Sequence, residues 1–327
     1  MVAPLVTVIT PAYNVEQYLA EAMESVLAQT VGDLEYLVVD DGSSDGTAEI
    51  ARQLQERDGR VRLLRGEHRG SSAARNVALR EARGEYVAFC DGDDRWAPEF
   101  LERSLAVLQQ APLEVGATFC AFRYIDQAGR LLGKTQVAAP GDYDAVRTLS
   151  GHCPQGNGSC LLIRRTCFEE AGLFDEDLFN CVDFDMWMRI HLHASRPLFR
   201  FLAEPLVDWR TRPGAISADE GKRVDGLAEI LRRYGDLLTP ATVGQAFVWP
   251  AVLGFYSGRD DTARAWVQRV RGADPRFFLR SQHGLVLGVF TLLGPANGRR
   301  LRRLAQQAVR ASRHPRTLLG RLRGSPS

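Results

Sequence analysis

Within the first 91 residues, short β-favouring runs alternate with stretches whose apolar residues recur at helical spacing. That order predicts an α/β fold built on a mostly parallel, doubly wound sheet flanked by helices. Leu5 to Thr10 is a strand closed by Pro11 and Asn14; Tyr36 to Val39, Val61 to Leu64 and Tyr86 to Cys90 are the next three. Helices are predicted over Glu16 to Gln29, Ala48 to Glu56 and Ser71 to Ala82. Such sheets bind ligands outside the carboxyl ends of their strands, so the residues that follow each run are the first place to look for chemistry.

The fourth strand ends in three carboxylates within four residues, Asp91, Asp93 and Asp94, with Gly92 between the first two. Like charges this close need a cation, hydrogen-bond donors or full solvation. Hard oxygen ligands suit Mg²⁺ or Mn²⁺, and Mg²⁺ commonly completes its shell with water and substrate phosphates. Asp91-Gly92-Asp93 is therefore expected to hold a divalent cation against a diphosphate; a solvated acidic turn is the competing reading. The second strand ends in Asp40 and Asp41. If the two strands are near neighbours, four acidic side chains face one crevice. Asp45 and Thr47 are better read as a turn and helix cap.

Tyr13, after the first strand, can stack on a base or pad the core. Arg75 sits on a helix face otherwise rich in alanine and can reach a phosphate or a base, or pair with an aspartate. Asp183 opens a helix over Asp183 to Ala194, where it can cap the helix or serve as a general base. Asp185 points elsewhere on that helix and reads as structural, and His191 and His193 cannot share a metal. No P-loop, dinucleotide fingerprint or nucleophile elbow is present, and basic residues are not interleaved with aromatics as a nucleic-acid groove requires.

Further along, a helix is expected over Pro98 to Leu108, strands over Val115 to Ile125, Leu131 to Val137, Cys160 to Ile163 and Leu198 to Leu202, and a helix over Arg165 to Ala171. Pro213 and Gly214 interrupt the pattern, which divides the chain into a domain of residues 1–212 and a helical region of residues 213–327. After Asp274 there is no acidic residue, while eleven arginines follow; the first 274 residues then carry 30 basic against 40 acidic groups. The apolar face of Leu301, Leu304, Ala305, Ala308 and Val309, flanked by arginines, suits an interfacial helix on anionic lipid through residues 296–327. Packing on the catalytic domain, or on another subunit of a homo-oligomer, is the competing use of that face. The N-terminus lacks a charged start and apolar run, no apolar run reaches the ~18 residues of a membrane span, and the six cysteines show no C-x-x-C spacing. A cytoplasmic protein with reduced core thiols and no zinc is expected.

Several segments then line up in one order: Val8 to Asn14 (VITPAYN), Val38 to Thr47 (VVDDGSSDGT), Ala74 to Asn76 (ARN), Gly84 to Asp94 (GEYVAFCDGDD), Gly172 to Asp175 (GLFD) and Val182 to Arg189. Together they resemble the family 2 glycosyltransferases of GT-A fold, over roughly residues 4 to 212. The resemblance implies a nucleotide-diphosphate sugar donor of UDP or dTDP type, a Mn²⁺ or Mg²⁺ ion, inversion at the anomeric carbon, and a glycan or lipid-linked acceptor. It implies that Pro11, Tyr13 and Asp40 or Asp41 hold base and ribose, with Arg75 near the base. Asp91, Gly92 and Asp93 match the D-x-D motif, the first aspartate on ribose or metal and the second on metal. Asp183 matches the base, although Val182 stands where Glu usually precedes it. A silent sugar-nucleotide-binding protein is the alternative. A nucleotidyltransferase fits less well, because Pro11 to Asn14 offers no Gly-rich basic phosphate loop.

Overall fold

The computed structural model describes residues 3–152, 158–215 and 218–274. The described cysteines are free thiols, all buried except the half-buried Cys181. Contacts divide the chain into two compact units, Met1–Leu238 and the residues from Thr239 onward.

The first unit is built on a ten-stranded sheet with the central order β3-β2-β1-β4-β9-β6-β10-β5. Its leading strands are β1 (Val6–Ala12), β2 (Leu34–Asp40), β3 (Val61–Arg65) and β4 (Tyr86–Phe89). These four are mutually parallel, joined by helices α1 (Leu19–Leu27), α2 (Thr47–Arg57) and α3 (Ser71–Glu81). Every residue of β2 and β4 is buried, as expected of strands covered on both faces. Short β5 (Arg95–Trp96) precedes α4 (Phe100–Gln110), which leads to β6 (Val115–Ile125) and the exposed β7 (Leu131–Gln136). After β8 (Asp142–Tyr143), α5 (Ala145–Arg147) and β9 (Leu161–Arg164) come α6 (Arg165–Ala171), α7 (Val182–His193), β10 (Leu198–Arg210) and α8 (Glu220–Tyr234).

Two expectations are corrected. The sheet is mixed: β3, β2, β1 and β4 are parallel and β10 pairs parallel with β6, but β9 runs antiparallel to both β4 and β6, and β5, β7 and β8 also pair antiparallel. The strand expected to stop at Leu202 continues to Arg210, with register shifts on either side of Pro205. Proline supplies no ladder N–H, so the strand is irregular there and then resumes.

By packing, the first unit ends after Leu238, whereas the sequence pattern breaks near residue 212. The difference is α8. It approaches the Asn180 segment so closely that a Cβ on Gly226 would sit 3.0 Å from that of Asn180. The second unit contains α9 (Pro240–Ser257), which starts with a Thr239/Thr242 capping box, and α10 (Asp260–Ala273). The part of the expected helical region beyond residue 274 lies outside the described residues, as does the whole arginine-rich tail. No described helix is long and apolar enough to cross a membrane.

Candidate active site

The register of the parallel strands brings two acidic turns to the same sheet edge. Ala12 of β1 pairs with Asp40 of β2, and Ile9 pairs with Phe89 of β4, so β1 lies between the two turns. Backbone bonds hold both exits: Asp41 N–H donates to the Ala12 carbonyl at 2.9 Å and Cys90 N–H to that of Ile9 at 3.0 Å.

The turn after β4 is fixed from below. Asp91 N–H donates to Ser159 Oγ at 3.0 Å, and that hydroxyl donates to Asp94 Oδ2 at 2.7 Å. Asp94 also accepts from the Arg210 N–H at 3.0 Å and is 1% exposed. Burial, then the charges of Asp93 and Asp91, push its carboxyl well above the ordinary range. Asp94 is a structural post inside the turn, not a ligand facing the cleft. Gly92 faces the start of α1, where a Cβ would come within 3.1 Å of Val15 Cγ2.

Asp91 and Asp93 each meet an arginine. Arg75 Nη2 donates to Asp91 at 2.8 Å, and Arg212 Nε donates to Asp93 at 2.6 Å. Burial and the nearby Asp91 charge raise the Asp93 carboxyl, with Arg212 opposing them. The other Arg75 terminal nitrogen lies 3.4 Å from Asp183, so one buried guanidinium joins the D-x-D turn to the first turn of α7. Burial raises the Asp183 carboxyl, Arg75 lowers it, and the Asp91 charge raises it again. Asp183 Oδ1 and Arg75 Nε are buried without a hydrogen bond.

The second turn lies across β1. Asp40 accepts from Ser43 N–H at 3.2 Å, and Asp41 accepts from Arg69 N–H at 3.2 Å and Gly70 N–H at 2.7 Å. Tyr13, 44% exposed, lays its ring 4.6 Å from that of His68. Pro11 occupies β1 between these turns, opposite Val39. Asp40 and Asp41 thus follow one neighbour of β1 and Asp91 and Asp93 the other, at the same sheet edge, while Asp94 turns inward and Asp41 is engaged by backbone N–H groups. Asp45 is a local turn residue, accepting from Thr47 N–H at 3.0 Å and Glu16 N–H at 3.2 Å.

Among the described residues, no group of three acidic, histidine or cysteine side chains is arranged to hold a metal. Asp91 and Asp93 are nonetheless hard oxygen donors on one turn, and burial with the neighbouring Asp91 charge makes ionisation of Asp93 costly. A divalent cation that draws its other ligands from phosphates and water fits that donor set.

Sequence reasoning missed Ser159, Arg210 and Arg212. Arg210 donates from Nε to the Asp93 carbonyl at 2.7 Å, while Arg212 meets the Asp93 carboxylate. No local signal marks them, because the strand that brings Arg210 to this edge is expected from sequence to stop at Leu202. Asp185 proves structural, 0% exposed and bonded to Arg189, Arg233 and Tyr234.

The sequence profile of glycosyl transferase family 2 matches residues 7–172. The uncharacterized glycosyltransferase EpsJ of Bacillus subtilis (strain 168) is 31% identical over 226 residues, which are 65% of this chain and 63% of that protein. Chondroitin synthase of Escherichia coli is 36% identical over 190 residues, 57% of this chain and 26% of the synthase. The chain thus spans less than two thirds of either relative. Among solved structures, residues 1–349 of TarS from S. aureus with UDP-GlcNAc superpose with a TM-score of 0.64 at 18% identity, covering 93% of this chain and 92% of TarS 1–349. The mannosyltransferase PcManGT of Pyrobaculum calidifontis, solved with GDP-Man and Mn²⁺, gives 0.56 at 24% identity, covering 97% and 84%. At these identities the two structures establish likeness of fold.

Proposed function

Because the chain belongs to glycosyl transferase family 2, we infer that it moves a sugar from a nucleotide-diphosphate donor to a hydroxyl acceptor, with inversion at the anomeric carbon. The product is a polysaccharide or glycoconjugate of the cell envelope, and the work is done in the cytoplasm, at the membrane face through residues 296–327. One observation carries the reading: Arg75 stands between Asp91 of the D-x-D turn and Asp183 of α7. Donor and base are thereby tied into one site.

In the reaction, the acceptor oxygen attacks the anomeric carbon from the face opposite the diphosphate. The bond from that carbon to the phosphate oxygen breaks, and its electron pair stays on the leaving diphosphate. Asp183 takes the proton of the attacking hydroxyl; a carboxyl raised by burial is a stronger base than an ordinary aspartate. Asp91 and Asp93 would hold the Mn²⁺ or Mg²⁺ ion, which when bound offsets the charge growing on the diphosphate. Pro11, Tyr13, Asp40 and Asp41 hold the base and ribose of a UDP- or dTDP-type donor, with Tyr13 exposed for stacking. The nucleotide sugars in the TarS and PcManGT structures, and the Mn²⁺ in the latter, support a nucleotide-sugar donor and a divalent ion.

The test is Asp183→Asn. Transfer should fall by about 10²- to 10⁴-fold, the usual contribution of a positioned base, while a thermal-shift titration with nucleotide sugar and Mn²⁺ stays unchanged. Lost donor affinity with turnover preserved would overturn the role.

A further inference from the structure

Beside the Arg75–Asp183 contact, the first unit carries a groove of about 930 Å³ between the N-terminal turn of α3, the segment before α7 and the start of α8. Ser72 of its lining lies one helical turn before Arg75 on α3, and Asn180 stands in the segment that leads into α7, three residues before Asp183.

Three features of its lining point to a ligand. Ser72 Oγ and Asn180 Nδ2 are both buried and both lack a hydrogen-bond partner, and Ser72 is 4% exposed. A buried polar group without a partner is unfavourable, and a bound hydroxyl or carbonyl would complete each one. Phe179, 87% exposed, offers an aromatic face where a soluble protein normally hides one. Four carboxylates, Glu176, Asp177, Asp219 and Asp225, face two cations, Arg69 and Lys222, and Arg69 is already paired with Glu176 at 2.8 Å.

We propose that this groove is the acceptor subsite and that it selects an uncharged sugar, a hexose or N-acetylhexosamine at the end of a glycan. This rests on the transferase reading above. An aromatic face packs against the C–H face of a pyranose, while hydroxyls donate to carboxylates and bond to Ser72 and Asn180. The net charge of the lining, 2 − 4 = −2, repels phosphodiester and uronate acceptors.

Saturation-transfer NMR on the full chain tests it with methyl β-glucoside, methyl N-acetyl-β-glucosaminide and methyl β-glucuronide, without donor. At least one of the two neutral glycosides should show transfer, with the glucuronide about fivefold weaker or silent at low salt. Phe179→Ala, an exposed change that leaves the core intact, should weaken the neutral signal about five- to tenfold. The thermal shift given by nucleotide sugar and Mn²⁺ should not move. The proposal is overturned if the glucuronide binds as well as the neutral sugars, if Phe179→Ala changes nothing, or if it alters only the donor shift. A chain that binds neutral glycosides but no nucleotide sugar keeps the groove and removes the transferase. One that binds nucleotide sugar but no glycoside removes the groove alone.

Discussion

At Arg75 a single guanidinium, nearly enclosed by protein, serves two carboxylates. Toward Asp91 it is a counter-charge; toward Asp183 it opposes the effect of burial, which favours the protonated acid. The base form exists only above the carboxyl's own pKa, and that pKa is raised in the fold. The acid limb of kcat/KM should therefore lie at higher pH than an ordinary aspartate would give. Arg75→Met removes the charge that lowers it, so the limb should move further up as well as the rate falling. A pH profile of kcat/KM whose limb stays put in that variant would contradict the role given to Asp183. The residues bearing negative charge here were legible in the sequence because carboxylates crowded at a strand end demand an explanation. Ser159 and Arg210 were not, because their partners Asp94 and the Asp93 carbonyl are 65 and 117 residues away and meet only in the folded sheet.

The elements repeat this division. Strands β1 to β4 and their helices were readable because each βα unit buries its own apolar face locally, and periodicity reports that burial. The intrusion of β9 between β4 and β6 was not, since a four-residue apolar run carries no record of its neighbours or direction. Helix α7 shows what packing adds. His191, which its spacing bars from sharing a metal with His193, is buried between Thr148, whose hydroxyl lies 2.9 Å from Nε2, and the Pro197 carbonyl, which accepts from Nδ1. Burial holds its pKa down to about 4. Between that value and the ~6.5 of an unfolded histidine, the unfolded chain binds the extra proton, so stability falls as pH falls across the window. The full loss is on the order of 3 kcal/mol, approached at the lower end. His191→Gln should be less stable at pH 7.5 but lose less between pH 6.5 and 4.5, as urea denaturation at a series of pH values would show. Parallel curves for the two proteins would mean another group titrates.

On the scale of the whole molecule, the question is where the catalytic body ends, and the buried charge of Asp185 supplies the decisive test. Asp185 is 0% exposed, and its oxygens accept from Arg189 at 2.9 Å, Arg233 at 2.9 Å and the Tyr234 hydroxyl at 2.7 Å. Arg233 and Tyr234 belong to α8, beyond the sequence break near residue 212 but inside the first packing unit. Cutting at 212 strips two of the three partners from an enclosed carboxylate and exposes the sites filled by Val224, Ile230 and Leu231. Breaking one buried ion pair costs about 3–5 kcal/mol, a large part of the ~5–15 kcal/mol that holds a typical domain together. A chain ending at residue 238 should accordingly melt in one cooperative step and keep its thermal shift with nucleotide sugar and Mn²⁺. A chain ending at residue 212 should melt far lower or fail to stay soluble, even though it retains every residue named for donor, metal and base. Equal melting temperatures for the two would make α8 dispensable and return the boundary to the break in the sequence pattern.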